Sequence, residues 1–295
     1  MRVLVTGSSG MVGRALLPAL RAAGHTPVAA VRAAAAAPGC AIWDPATGSL
    51  GPEAGALDAV VHLAGASIGG GRWTPARQAL LRDSRVPATE RLVAHLSALP
   101  HSPRVLICAS GVNYYGDRGE EVLTEHSPPG GSFLARLAAD WEAAAEGGSA
   151  AGMRVVALRL GMVLASGGAL SRLVPLFRLG LGGRLGNGRQ WLSWVALADV
   201  LGIILTALAD DRYRGPVNAV AGPVRNAEFT RELGGLLHRP AVLPAPAPLL
   251  RLMLGRMADE LLLASIRAEP LRLSGWGYAF HQPVLPGALR AALGH

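Results

Sequence analysis

The sequence contains no lysine; all 28 of its basic residues are arginine. A catalytic lysine of any kind is therefore excluded. Only two cysteines occur, Cys40 and Cys108, both in apolar strand-like segments. They do not make a disulfide framework and read as buried reduced thiols in a cytoplasmic protein. The eight histidines are scattered without metal-ligand spacing, so no metal site is expected. Charged residues are scarce at 16%, against 51% hydrophobic, which excludes a disordered or solvating chain. Long apolar runs are missing too. The best candidate, 195–209, is interrupted by Asp199 and falls short of the roughly 18–20 residues that a bilayer span needs. At the start, the apolar stretch Val3–Val5 runs straight into a glycine turn, unlike a signal peptide. The net charge of +8 is spread without a block of like charges, so it reads as a solvated basic surface and not a nucleic-acid interface.

What is present is alternation. The 295 residues are enough for one large or two unequal domains with a sizeable core. Strand-like runs at Val3–Thr6, Val28–Val31, Cys40–Trp43, Asp58–Leu63, Val105–Ala109 and Val155–Leu160 are separated by polar breaks and helical stretches. The helices are expected over Met11–Ala23, over one long stretch from Thr74 to about Ser97, and over Phe133–Glu146. Such alternation predicts an α/β fold, a doubly wound parallel sheet covered on both faces. Composition shifts after Gly161: Gly167–Gly188 is glycine-rich and Pro240–Pro248 proline-rich, followed by an apolar helical stretch from Leu249 to about Leu263. The expected division is a dinucleotide-binding domain over 1–165, to which later segments can return, and a smaller C-terminal substrate lobe over 166–295. Apart from the alanines at 33–37 there is no low-complexity tract.

The strongest motif is Thr6-Gly7-Ser8-Ser9-Gly10-Met11-Val12-Gly13, which leaves the first strand and enters a helix. Gly7 permits the tight turn, Gly10 lets the backbone approach a pyrophosphate, and Gly13 allows close helix–strand packing. The helix N-terminus offers its free N–H groups to the anion. The end of the second strand distinguishes the dinucleotides. NAD binders place an acid there for the ribose 2′-hydroxyl. This chain has Arg32 followed by alanines, which suits a 2′-phosphate and favours NADP(H); the alternative is a solvated arginine. Further segments stand at the carboxyl ends of the later strands: His62-Leu63-Ala64-Gly65-Ala66 at the fourth, Ala109-Ser110-Gly111 at the fifth, and Arg159-Leu160-Gly161 at the sixth. His62 reads as strand-end packing, and the pair Trp141-Glu142 as packing plus a helix-surface charge.

Thr6–Gly13, Asp58–Ala66, Arg72-Trp73, Tyr114–Asp117, Trp141-Glu142, Pro175–Gly188 and Pro223–Phe229 together resemble the short-chain dehydrogenase/reductase superfamily in its extended branch. More closely, the chain is similar to an atypical subgroup called NAD(P)-dependent epimerase family proteins, or nucleoside-diphosphate-sugar epimerases. Its segment from about residue 240 resembles a small uncharacterised domain typical of that subgroup. The resemblance implies a Rossmann-type fold, a bound NADP(H) held by Gly7, Ser9, Gly10, Met11, Val12, Gly13, Arg32, Leu63, Ala64, Gly65, Ala109 and Leu160, and a substrate cleft between the lobes. The superfamily's catalytic Tyr-x-x-x-Lys pair is absent: the corresponding helix begins Ser132-Phe133-Leu134-Ala135-Arg136, and Arg136 can offer charge but no proton relay. Ala196 and Ala198 also stand where the subgroup usually has His and Asp. Ser110 occupies the catalytic Ser/Thr position, and Tyr114 or Tyr115 is the remaining candidate acid/base; the alternative is that both tyrosines pack the turn. Arg72, Trp73, Asn113, Asn187, Arg189 and Gln190 are the candidate substrate contacts; the alternatives are that Trp73 anchors its loop on the core and that Asn187, Arg189 and Gln190 form a polar loop around a turn. The expected activity is that of an NADP-dependent oxidoreductase or epimerase acting on a small polar substrate, a nucleotide sugar among them. A non-catalytic NADP-binding sensor or partner-binding module is the alternative. No membrane or nucleic-acid partner is expected, and a homodimer is left open.

Overall fold

Side chains of a strand point alternately to its two faces, and here both faces are apolar. Val3 and Val5 lie in one core with Leu16, Leu20 and Ile203. Leu4, between them, lies in another with Leu81, Leu92 and Leu134. Ile107 and its neighbour Leu106 divide in the same way. Only a sheet with helices on both sides buries such runs. The computed structural model describes residues 1–35 and 37–294; Ala36, within the alanine run after Arg32, and His295 lie outside them.

The first half of the chain runs β1 (Arg2–Thr6), α1 (Met11–Ala22), β2 (Thr26–Val31), β3 (Cys40–Ile42), β4 (Ala59–His62), α2 (Pro75–Asp83), α3 (Val86–Ser97), β5 (Val105–Gly111), β6 (Val122–Leu123) and α4 (Phe133–Glu146). The second runs β7 (Arg154–Leu160), β8 (Met162–Leu164), α5 (Leu170–Arg178), β9 (Trp191–Ala196), α6 (Leu197–Ala209), β10 (Gly215–Ala219), β11 (Gly222–Arg225), α7 (Asn226–Leu236), α8 (Ala247–Leu254), β12 (Arg267–Ala268), α9 (Leu271–Gly275) and α10 (Leu285–Leu293). Seven strands form one parallel sheet in the order β10-β7-β5-β4-β1-β2-β3. This is the Rossmann-type doubly wound α/β fold. From β1 the chain winds outward to β3, then crosses to β4 and winds the other way. The loops after β1 and β4 therefore diverge, and the crevice between them opens at the carboxyl ends of the strands.

The second half contributes to two bodies. α6 packs on the main sheet through Val200, Ile203 and Ile204, and β10 extends that sheet. β8, β9 and β11 form a separate small sheet whose core joins Phe177, Trp194, Phe229, Leu233 and Leu289. Buried Asp199 ties the C-terminus to this frame: its carboxylate accepts from the backbone N–H groups of His281 at 2.6 Å and Gln282 at 3.1 Å.

Three expectations need correction. The long helix after Thr74 is two helices. Thr74 does cap the first, accepting from the Arg77 N–H, but Pro87 lacks an N–H to carry the helix on from Asp83 and sits instead in the first turn of the second helix. The chain breaks at Ser84-Arg85, and the break swings Arg85 into the interior. The helical stretch beginning near Leu249 is also divided. α8 stops at Gly255, whose φ of +61° reverses the chain, and a π-helical turn follows over Ala258–Leu263. Of the two thiols only Cys108 is buried; Cys40, on the edge strand β3, is half-buried.

Candidate functional site

The glycine turn has the geometry that a dinucleotide needs. Gly7 adopts φ +67°, and a Cβ there would lie 2.7 Å from the carbonyl of Leu63, at the end of β4. A Cβ on Gly13 would fall on the carbonyl oxygen of Gly7. Gly10 caps α1 with its backbone alone, with no side-chain hydrogen bond and no acid in the first turn. The N-terminus of α1 is thus open to an anion. Ser8 Oγ donates to the Ala30 carbonyl at 3.2 Å and fixes the turn to β2, just before exposed Arg32. From the far side, Gly167 and Gly168 pack on the side chain of Met11. Ser9, Val12, Leu63, Ala64, Gly65, Ala109 and Leu160 all lie at or beyond the carboxyl ends of β1, β4, β5 and β7. The close backbone approaches at Gly7 and Gly13 and the open N-terminus of α1 fit a dinucleotide.

Beneath this crevice runs a buried polar chain. Thr6 Oγ1 accepts from the N–H groups of Leu63 and Ala64 and lies 2.7 Å from His62 Nδ1. His62 Nε2 lies 2.9 Å from Thr89 Oγ1, which accepts from the Trp141 indole N–H at 2.9 Å. Burial, assisted by the positive charge of Arg85, pushes the His62 pKa down to about 4. The ring is neutral and structural, as its strand-end position suggested. Arg85 donates to the carbonyls of Leu81 and Ala66 and lies over the Trp141 ring at 5.0 Å. Burial first, then Arg77, lowers its pKa to about 10.

A second network lies at the ends of β5 and β7. Ser110 Oγ donates to Glu142 Oε1 at 2.6 Å. Arg159 grips the same carboxylate through Nε at 2.9 Å and Nη2 at 2.8 Å. Its Nη1 donates to the Tyr115 hydroxyl at 3.0 Å, and that hydroxyl donates to Asn218 Oδ1 at 2.6 Å. Burial opposes the charge of Arg159, but hydrogen bonds and the charge of Glu142 outweigh it and hold the guanidinium above its ordinary range. The two tyrosines differ. Tyr115 is fully buried, and burial pushes its pKa up to about 12 against the pull of Arg159. Tyr114 is half-buried, with the Arg159 guanidinium 3.4 Å from its ring centre.

Glu142 is the main surprise. Its side chain is 14% exposed and paired within the interior, so it is not a helix-surface charge. Arg136, by contrast, is exposed and donates to the Gly131 carbonyl, away from this network. Neither Glu142 nor Arg159 stands out by spacing, because they meet only when α4 packs on the sheet. In the substrate lobe, several candidates serve the structure. Gln190 is buried and donates to the carbonyls of Leu185 and Leu262, both at 3.1 Å. Asn187 accepts from the Arg189 N–H within its own turn, and both residues are exposed. Trp73 is buried and donates to the Ile68 carbonyl, so it anchors its loop; its ring meets Phe133 edge-on at 5.6 Å. Arg72 is exposed beside α8 and donates to the Leu252 carbonyl. Asn113 donates to the Glu260 carbonyl at 3.2 Å, and the Glu260 carboxylate accepts from the Leu134 N–H at the start of α4. Among the described residues no group of His, Cys, Asp and Glu could hold a metal ion, and no helix is long and apolar enough to cross a membrane.

Comparison with known proteins agrees with this geometry. A profile of the NAD dependent epimerase/dehydratase family matches residues 3–220, and a domain of unknown function, DUF1731, matches 245–292. An epimerase family protein of Mycobacterium tuberculosis is 43% identical over 290 residues, covering 97% of this chain and 96% of that protein. Human epimerase family protein SDR39U1, whose crystal structure (isoform 2) contains NADPH, superposes with a TM-score of 0.91 at 33% identity over the whole of both chains. A nucleoside-diphosphate sugar epimerase from Corynebacterium glutamicum gives a TM-score of 0.82 at 34% identity, covering all of this chain and 58% of that one.

Proposed function

Since the chain belongs to the NAD dependent epimerase/dehydratase family, with DUF1731 at its C-terminal end, we propose that it binds NADP(H) and performs hydride-transfer chemistry on a small polar substrate. A nucleotide sugar is the first candidate, on the likeness to the Corynebacterium enzyme. The observation that carries the cofactor reading is the open N-terminus of α1 beside Arg32. The turn receives a pyrophosphate, and the end of β2 presents a cation where NAD binders present an acid. The NADPH in the human relative supports the same choice.

When bound, the dinucleotide supplies the hydride chemistry. This chain's residues orient the partners and handle the proton. In this reading Ser110 and Tyr114 face the substrate, which lies between the sheet and the lobe of residues 166–295, while Tyr115 braces Arg159 from behind. Arg72 and Asn113 line the entrance. Titration of the protein with NADPH and NADH, followed by fluorescence, tests the cofactor reading. NADPH binds the more tightly; equal affinities would sink it.

One observation favours a second reading, a non-catalytic NADP-binding module. α4 opens Phe133-Leu134-Ala135-Arg136, so its first turns offer neither a tyrosine nor a lysine, and Arg136 donates to the Gly131 carbonyl, away from Ser110. Turnover of NADPH with any member of a carbonyl and nucleotide-sugar panel decides against this reading.

A further inference from the structure

A helix on the surface of a globular protein normally shows solvent a polar face, and α8 does not. Its inward residue Leu254 packs on the core that holds Leu81 and Leu92. On the other side Leu249, Leu252 and Met253, spaced i, i+3 and i+4, are 49%, 75% and 61% exposed. The loop before α8 adds exposed Val242 and Leu243, and the end of α5 adds exposed Leu176, Leu179 and Leu181. Backbone contacts join these segments. The Ala245 N–H donates to the Arg184 carbonyl and the Gly186 N–H to the Ala245 carbonyl, both at 2.9 Å. A Cβ on Gly183 would fall on the Leu243 carbonyl, so the loop lies against the chain that leaves α5. Single exposed apolar side chains need no explanation, but a group gathered across adjoining segments marks an interaction surface.

The same segments are positive. No Asp or Glu occurs between Glu146 and Asp199, or between Glu232 and Asp259, the two stretches that build them. Exposed Arg178, Arg184, Arg239, Arg251 and Arg256 stand there instead. Arg251 pairs with Asp259 and Arg256 with Glu260, whereas the other three form no salt bridge among the described residues. Arg239 Nε donates to the Arg178 carbonyl at 3.0 Å, which draws two of these unpaired cations together. Arginines scattered along the sequence are thus gathered by the fold around apolar side chains.

We infer that α8, the loop over 240–246 and the end of α5 form a peripheral docking surface for an anionic phospholipid bilayer. This goes beyond the proposed function and does not depend on it. The expectation of no membrane partner rested on the lack of a spanning helix, and lying on a bilayer needs none. Apolar side chains enter the acyl boundary while cations meet the headgroups. Arginine suits that boundary, because its stem lies along apolar surface and its fork holds phosphate. A second copy of the chain fits less well: without an acid in these stretches, packing the face on itself would set arginine against arginine. A bilayer also accepts leucines that stand out from the surface, without the matched pockets that a protein partner must supply. Docking in this way would orient the cleft, since Arg72 at its entrance donates to the Leu252 carbonyl.

Flotation of the full chain with vesicles tests the inference. The protein should bind vesicles of mixed phosphatidylglycerol and phosphatidylcholine at least about tenfold more tightly than vesicles of phosphatidylcholine alone, and high salt should weaken the binding. Leu252→Asp combined with Met253→Asp should weaken it about tenfold or more. Arg178→Gln combined with Arg184→Gln should do the same, at about fivefold per arginine. The melting temperature and NADPH affinity should be kept in both, because these side chains face solvent. Leu179→Asp, at the end of α5, carries the apolar arm if the first double variant does not fold. Absence of binding, equal binding to the two kinds of vesicle, or binding that either the aspartate or the glutamine substitutions leave intact overturns the inference. Sedimentation velocity identifies the rival occupant: self-association that the aspartate variant abolishes, without vesicle binding, would assign the face to a second copy.

Discussion

At the scale of single residues, the cofactor crevice depends on atoms that are missing. Gly7→Ala would put a methyl group 2.7 Å from the Leu63 carbonyl on a backbone at φ +67°. Both the strain and the clash act on the loop after β4. We expect loss of NADPH binding with destabilisation of about 1–3 kcal/mol, read by fluorescence titration and chemical unfolding. A variant that binds NADPH normally would show that the turn relaxes without cost to the site. Arg32 makes the opposite case, since its side chain is exposed at the end of β2 and supports no core. Arg32→Asp should leave the melting temperature unchanged and reverse the preference between NADPH and NADH, because the acid repels a 2′-phosphate and accepts from a 2′-hydroxyl. An unchanged preference would assign Arg32 to the solvated surface.

At the scale of elements, the polar chain that joins β1, β4, α3 and α4 has a pH signature. The folded pKa of His62, about 4, lies below its ordinary value of 6.5. Its neutral form therefore contributes stability above 6.5, and that contribution is lost as pH falls through 4. Between about pH 7 and pH 5 the loss amounts to roughly 2 kcal/mol by linkage. Urea unfolding at the two pH values should show it. His62→Asn should be less stable at pH 7 yet lose little more on acidification; an equally steep loss in the variant would place the titration elsewhere. The helices show a related lesson. Thr74 and Pro75 marked the start of α2 correctly, but a long amphipathic pattern hid the break at Arg85. Periodicity continues across a kink, whereas one missing N–H at Pro87 interrupts the helix.

At the scale of the whole molecule, the C-terminal segment is held by a buried carboxylate. Asp199 receives two backbone N–H groups from His281 and Gln282, and its carbonyl accepts from the Tyr278 hydroxyl at 3.1 Å. Asp199→Ala leaves both N–H groups without their acceptor, which should cost about 2 kcal/mol. Hydrogen exchange should then quicken over residues 278–293 before it does in β1, β4 and β5. Uniform quickening would mean that the segment and the sheet open together. The Asp in the apolar run 195–209 was evident as a break in a hydrophobic pattern, but its partners lie 82 and 83 residues along the chain.

The sequence by itself determined the main sheet's six early strands, the glycine turn, the arginine in place of an acid after β2, and the family. Each is a local pattern, a matter of which residues stand within a few positions of one another, and local sterics and hydrophobic periodicity suffice to express it. The chemistry around Ser110 was decided by the tertiary structure. Ser110 and Glu142 are 32 residues apart, Glu142 and Arg159 are 17, and Tyr115 and Asn218 are 103. Whether a glutamate on α4 faces solvent or grips an arginine depends on how the helix rolls onto the sheet. Which of two adjacent tyrosines is buried depends on the turn between β5 and β6. Charges and hydroxyls acquire partners, and so direction, only when strands and helices from distant parts of the chain are packed together.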